Sequence, residues 1–291
     1  MVLGGAITLA ACTGSGYEAV SDPDANAPAA AVTAAPRVSG VLFVERTLGG
    51  ATEDVQVGAR FQRVVGLADD ALPDLVGTPV IPRVGACVER TSPSATTDAT
   101  AASAEVRLLD VGPVDVRAGD LPVRLLPRRF PDLWNVVSGV LYGVAPVALP
   151  QGAWRFTAQG DARSGVGAFD VEGQAPDDLM GVRVGEVPLP LPSNSAAVLP
   201  RHGALNVRWN RGYTDDKIAV VFEGAGTMVC GARDEGWLDI DAATMDRVAD
   251  LLRNGGTLSV HRLRARPFTA TGLDGASLVF DLAVRSHVQV E

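Results

Sequence analysis

The sequence is poor in several residue types that mark common classes of protein. Lys217 is the one lysine among 25 basic residues, and 34 acidic residues bring the net charge to −9. That balance excludes a basic nucleic-acid surface and a polybasic membrane patch. Three cysteines and three histidines are too few for a zinc module rich in these residues. We therefore expect no nucleic-acid partner, no metal and no cofactor.

Long apolar runs are also missing. Residues 2–11 (VLGGAITLAA) form the clearest apolar stretch, and it is too short for a membrane-spanning helix, which needs about 20 residues. The stretch fits the hydrophobic region of a signal peptide. Because no lysine or arginine precedes it, we expect the true translation start to lie upstream.

The end of this stretch, Leu9-Ala10-Ala11-Cys12, resembles the lipobox of bacterial lipoproteins. In that family the cysteine is diacylated and becomes the mature N-terminus, and two acyl chains anchor a protein stably. The resemblance implies that residues 1–12 are a signal peptide and lipobox, and that Cys12 carries the lipid. Thr13 stands where an aspartate would favour the inner membrane. We therefore expect the chain in the outer membrane, lipid-anchored and facing the periplasm or the exterior.

Composition divides the remaining chain into segments. Residues 13–36 are rich in alanine and proline and lack apolar periodicity, which predicts a disordered tether. From residue 37 on, alternation of apolar and polar residues dominates. We predict a first β domain at 37–180, a Pro-rich connector at 181–200 and a second β-sandwich domain at 201–291.

The alternation predicts an all-β fold of antiparallel β-sandwich domains, Ig-like or related, because each strand has one apolar and one polar face. The final strand is the clearest example, with Leu278, Phe280 and Leu282 on one face and Asp281 on the other. Two short helices interrupt the pattern. Residues 241–254 have apolar side chains at helical spacing, with Asp241 as N-cap, and a weaker helix is predicted at 69–76.

Several short segments also resemble secreted β-sandwich lipoproteins of high-GC Gram-negative bacteria. They are residues 106–116 (VRLLDVGPVDV), 129–132 (RFPD), 138–143 (SGVLYG), 229–240 (VCGARDEGWLDI) and 258–262 (LSVHR). This resemblance implies a β-sandwich protein of the envelope and no catalytic residue. From the residues alone, Asp234 lies in a turn between two strands, where we expect it to bind local backbone amides.

Beyond Cys12, the chain has Cys87 and Cys230, an even number in an oxidising compartment. A bond between them would close a long loop and contribute roughly 5 kcal/mol at most. The alternative is two separately buried thiols, since cysteine is a good small core residue. Both remain open because a disulfide requires its two Cα atoms within ~7 Å, which the sequence does not reveal.

No residue pattern for catalysis emerges. His202, His261 and His287 form no metal-ligand spacing, and we expect all three to be solvated surface histidines. The serine at Ser164 lacks the G-x-S-x-G context of a hydrolase nucleophile. We therefore predict that the chain is not an enzyme, with a hydrolase of unfamiliar site as the least favoured alternative.

The leading hypothesis is a lipid-anchored, non-enzymatic structural or interaction module of the cell envelope. Its partners would be the membrane, through the lipid, and an envelope or extracellular protein or glycan. The alternative is a carbohydrate- or peptide-binding lipoprotein. Trp134 lies in a loop-like run and Trp237 near a turn, so these two rings are the candidate ligand contacts.

Overall fold

The structure is a computed structural model that describes residues 36–49, 52–65, 81–90, 105–133, 137–145 and 152–291. These residues are mainly in strands, with one helix among them, which confirms the predicted all-β class. Cys12, residues 13–35 of the predicted tether, Trp134 and the helix predicted at 69–76 lie outside the described residues.

The elements are named in chain order. The strands are β1 (Arg37–Gly49), β2 (Thr52–Val65), β3 (Cys87–Arg90), β4 (Glu105–Leu108), β5 (Val114–Ala118), β6 (Leu121–Leu125), β7 (Arg128–Leu133), β8 (Val137–Val144), β9 (Ala153–Ala158), β10 (Phe169–Gln174), β11 (Arg183–Val184), β12 (Val187–Pro188), β13 (Ala196–Leu199), β14 (Leu205–Arg208), β15 (Lys217–Glu223), β16 (Thr227–Arg233), β17 (Trp237–Ile240), β18 (Gly256–Phe268) and β19 (Gly275–Val290). The helix α1 (Ala242–Leu251) lies between β17 and β18.

One large sheet of eleven strands organises the fold, in the order β3-β16-β15-β18-β19-β1-β2-β4-β8-β7, with β13 beside β19. Its strands pair mostly antiparallel, but β1 and β13 both run parallel to β19, and β4 runs parallel to β8. Strands from both predicted domains thus belong to the same sheet. Thr33–Glu291 accordingly form one compact unit.

The segment predicted to be a Pro-rich connector, residues 181–200, is built into this unit. It supplies β11, β12 and β13, and Leu199 in β13 is fully buried. Pro188 lies in β12, at the edge of its sheet, where a missing backbone N–H costs no ladder bond. The structure therefore differs from an extended linker, because its prolines occupy positions that strand pairing tolerates.

Two smaller sheets, β10-β9-β5-β6 and β12-β11-β14-β17, pack on the large sheet. Leu278, Phe280 and Leu282 of β19 belong to the core beneath the first of them, and Val284 and Val288 to the core beneath the second. These even-numbered residues share one face of the strand, as the alternation predicted. Both small sheets therefore cover the same face of the large sheet, which we call the inner face. The opposite face is the outer face.

The helix α1 packs Met245 and Val248 into the second core. Asp241 is its N-cap and accepts a hydrogen bond from the Thr244 backbone N–H at 2.8 Å, which confirms the predicted helix start. No helix of the described residues is long and apolar enough to cross a membrane.

Candidate functional site

A chain of polar side chains lies on the outer face, in the middle of the large sheet. Ser259 and His261 are two residues apart in β18 and therefore point the same way. His261 pairs with Ala283 of β19, so Asp281 is its diagonal neighbour. Ser259 Oγ lies 2.8 Å from His261 Nε2, and His261 Nδ1 lies 2.9 Å from Asp281 Oδ1. The sheet register alone thus assembles a Ser–His–Asp sequence of contacts.

These contacts match the order of a hydrolytic triad, but the surroundings do not. Ser259 is only 1% exposed, so a substrate has no access to its hydroxyl. Its strand pairs with β15 on one side and β19 on the other, so the nearby backbone N–H groups serve the ladders. Attack on a carbonyl needs free N–H groups aimed at the developing oxyanion. The arrangement therefore fits a structural polar cluster better than a nucleophile.

The expectation that His261 is a solvated surface histidine is wrong. Its side chain is 19% exposed, and that of Asp281 is 14% exposed. Burial acts to lower the pKa of His261, but the charge of Asp281 and the hydrogen bond to it outweigh burial and raise that pKa above 6.5. Burial, and then the charge of Asp281, also raises the pKa of Glu45, which pairs with Asp281 across β1 and β19.

We predict that His261 makes stability depend on pH. A histidine whose pKa is raised on folding contributes stability that is complete below its unfolded pKa of about 6.5 and is lost as pH rises through the folded pKa. Between about pH 5.5 and about pH 8.5, the free energy of unfolding in urea should therefore fall more for the wild type than for His261→Gln.

The matched control is His287→Gln, because His287 is an exposed histidine of the neighbouring strand β19. This variant should keep the wild-type dependence on pH. If His261→Gln lost as much stability over that range as the wild type, His261 would not be the group responsible.

The other two histidines are exposed, as the sequence predicts. His202 is 79% exposed, and its Nδ1 lies 2.9 Å from Asp246 Oδ1. His287 is also exposed. Among the described residues, no group of three or more His, Cys, Asp or Glu is placed to hold a metal ion.

A groove of about 470 Å³ lies beside the polar cluster, toward the β7 end of the large sheet. Its outer-face lining includes Phe43 of β1 and Leu141 of β8. Three arginines also line it: Arg60, Arg128 and Arg129. Sequence reasoning missed this groove because its lining comes from four strands that alternation alone does not bring together.

Of the two tryptophans predicted as ligand contacts, the described residues include Trp237. It is 53% exposed in β17, an edge strand, and pairs with Arg208 of β14. The Arg208 Nε donates to the Asn206 side chain, and the Asn206 amide donates to Asp239. An exposed ring is thus flanked by an ordered row of polar groups.

Cys87 and Cys230 form a disulfide, so the bonded alternative of the sequence analysis is confirmed. The two residues face each other across the antiparallel pair β3–β16, with Cα atoms 4.0 Å apart. Cys230 is buried in the second core, and Cys87 packs against that core.

The expectation that Asp234 binds the backbone amides of its own turn is wrong. Asp234 is 1% exposed, and its Oδ1 accepts a hydrogen bond from Trp209 Nε1 at 2.7 Å. Its Oδ2 lies 2.7 Å from Nε of Arg262, which is also 1% exposed. Arg262 further donates to the backbone carbonyls of Asp177 and Asp178, both at 2.9 Å. The pair therefore ties β18 to the loop before β11, inside the fold.

The chain matches no protein-family model and no curated protein. The argument about function therefore rests on the residues themselves: the disulfide, the occluded polar cluster, the arginine-lined groove and exposed Trp237.

Proposed function

We propose that the chain is a lipid-anchored module of the bacterial cell envelope that works by contact with a partner and performs no catalysis. The Cys87–Cys230 disulfide carries this proposal. Structural disulfides persist in the periplasm and outside the cell, and are rare in the reducing cytosol. The lipobox-like ending at Cys12 and the tether at 13–36 agree with the same compartment and point to the outer membrane.

The absence of catalysis in this proposal is supported by the polar cluster. Among the hydrogen bonds of the described residues, one serine, Ser259, contacts a histidine that is paired with a carboxylate. The hydroxyl of this serine is buried. The two arginines Arg128 and Arg129 and the ring of Trp237 are instead exposed. Surfaces of this kind suit recognition better than covalent chemistry.

The anchor is tested on protein expressed from its native gene in a Gram-negative host. The wild type should be in the membrane fraction, and mass spectrometry should find an N-terminal peptide that begins at acylated Cys12. Cys12→Ser is the control and should lose both the acyl mass and the membrane fraction, because no other thiol is in place to take the lipid. A soluble wild-type protein that retains residues 1–11 would refute the proposal.

A second candidate function is binding of a carbohydrate or peptide. The exposure of Trp237, with Arg208, Asn206 and Asp239 beside it, favours this alternative, because sugar sites combine an exposed ring with hydrogen-bonding groups. A platform of two or three coplanar rings would need a further aromatic residue, and Trp134 lies outside the described residues. The envelope module therefore stands as the leading proposal.

A further inference from the structure

The groove at the β7 end of the outer face combines an apolar floor with a concentration of positive charge. In a chain of net charge −9, three arginines line this one depression. Its volume of about 470 Å³ falls in the range of small-molecule sites, roughly 300–1,000 Å³. We propose that the groove binds an amphiphilic anion, meaning a carboxylate or phosphate head group on an apolar body.

The apolar part of the groove follows from two glycines that face each other. Gly58 of β2 pairs with Gly143 of β8, which leaves the sheet bare at this point. A Cβ at Gly143 would meet nothing within 4 Å, so the space above it is open. A Cβ at Gly58 would collide with the ring of Phe43, which lies over the glycine. With Leu141, this ring provides a surface for a hydrocarbon body.

The charged part of the groove is incompletely neutralised by the residues that the structure describes. Arg128 and Arg129 are exposed, and neither forms an ion pair with the described residues. Arg60 is partly buried, and its Nε makes no hydrogen bond within the described part of the chain. Burial lowers the pKa of Arg60, and the charge of Glu45 opposes this effect. A bound anion would therefore stabilise the charged form of Arg60, which burial disfavours.

Glu45 fixes where the anionic head group lies. Its carboxylate raises the pKa of Arg60, and it would repel an anion at the β1 side of the groove. Arg128 pairs with Leu141 across β7 and β8 and has no such acidic neighbour among its partners. Arg129 pairs with Val140, so its side chain lies on the opposite face of the sheet from that of Arg128. The head group therefore binds at Arg128, and the apolar body lies over Gly143 toward Phe43.

The test is isothermal titration calorimetry on the full chain with Cys12→Ser, which cannot be acylated. The probes are octanoate, octyl phosphate, octanol and acetate. Octanoate or octyl phosphate should bind, and the tighter of the two identifies the class of head group. Octanol, which lacks the charge, should bind about fivefold more weakly, as expected for the loss of one exposed ion pair. Acetate, which lacks the apolar body, should show no measurable binding.

Two variants assign the binding to this groove. Arg128→Gln should weaken the anionic probes about fivefold and leave octanol unchanged. Gly143→Leu should abolish binding of all probes, because its side chain fills the open space. The matched controls are Arg211→Gln, which removes the same charge elsewhere, and Gly275→Leu, which also adds a side chain where a Cβ meets nothing within 4 Å. Both controls should bind like the parent.

The proposal is overturned if none of the probes binds, if octanol binds as tightly as octanoate, or if both groove variants bind like the parent. The urea midpoint of each variant confirms that it is folded. The result does not depend on the lipid anchor, because the measurement is made on unacylated protein.

Discussion

Replacing both Cys87 and Cys230 by alanine is expected to lower the free energy of unfolding by roughly 2–5 kcal/mol. The bond joins residues 143 apart in sequence, so its loss returns a large conformational entropy to the unfolded chain. It also removes two sulfur atoms from the edge of the second core. Urea unfolding followed by circular dichroism measures the change.

Two comparisons identify the bond as the cause. The wild type should lose a similar amount of stability when a reducing agent is added, whereas the double variant should be insensitive to it. Cys12→Ser, which removes a cysteine outside the bond, should unfold like the wild type. A double variant with the wild-type urea midpoint would show that the bond contributes nothing to stability.

The disulfide has a local role as well as a global one. The strand β3 has four residues and, among the described strands, pairs only with β16 at one end of the large sheet. So short a strand gains little from its ladder, and the bond between Cys87 and Cys230 holds it in register. Val88 of β3 and Val84 just before the strand are both exposed, so neither valine anchors this edge in the core.

The alternation of residues predicted faces but not partners. It placed Leu278 and Phe280 on a buried face correctly, and it identified α1 with its cap Asp241. It contained nothing to pair β1 with β19, because a parallel contact between the two ends of the fold leaves no local pattern. For the same reason the sequence predicts two separate domains, whereas strands from both belong to one sheet.

The polar cluster was missed although a signal for it exists. Ser259 and His261 alternate with buried residues, which is also the pattern of a solvated face. Antiparallel pairing of the last two strands would have placed Asp281 diagonally opposite His261. That register alone predicts a carboxylate partner for His261. The burial of Ser259 depends on other elements and could not have been inferred.

Asp234 and Arg262 also left a trace in the sequence. Leu258, Val260 and Arg262 occupy successive inner-face positions of β18, and an arginine in such a row needs a buried partner. The partner could not be identified, because Asp234 is in a turn between two other strands and looked like a residue that binds its own backbone.

Asp234→Ala is expected to lower the free energy of unfolding by roughly 3–5 kcal/mol, because it leaves Arg262 as a buried cation without its counter-ion. The change also deprives Trp209 Nε1 of its hydrogen-bond acceptor. Asp215→Ala, which removes an exposed aspartate just before β15, should change stability by less than about 0.5 kcal/mol.

The second variant of this pair separates charge from packing. Removing both charges with Asp234→Leu/Arg262→Met leaves no buried ion, so it should recover part of the loss seen in Asp234→Ala. Recovery cannot be complete, since the carbonyls of Asp177, Asp178 and Asn210 lose the donors that Arg262 provides. If Asp234→Ala and the double variant were equally destabilised, the unpaired charge of Arg262 would not be the main cost of Asp234→Ala.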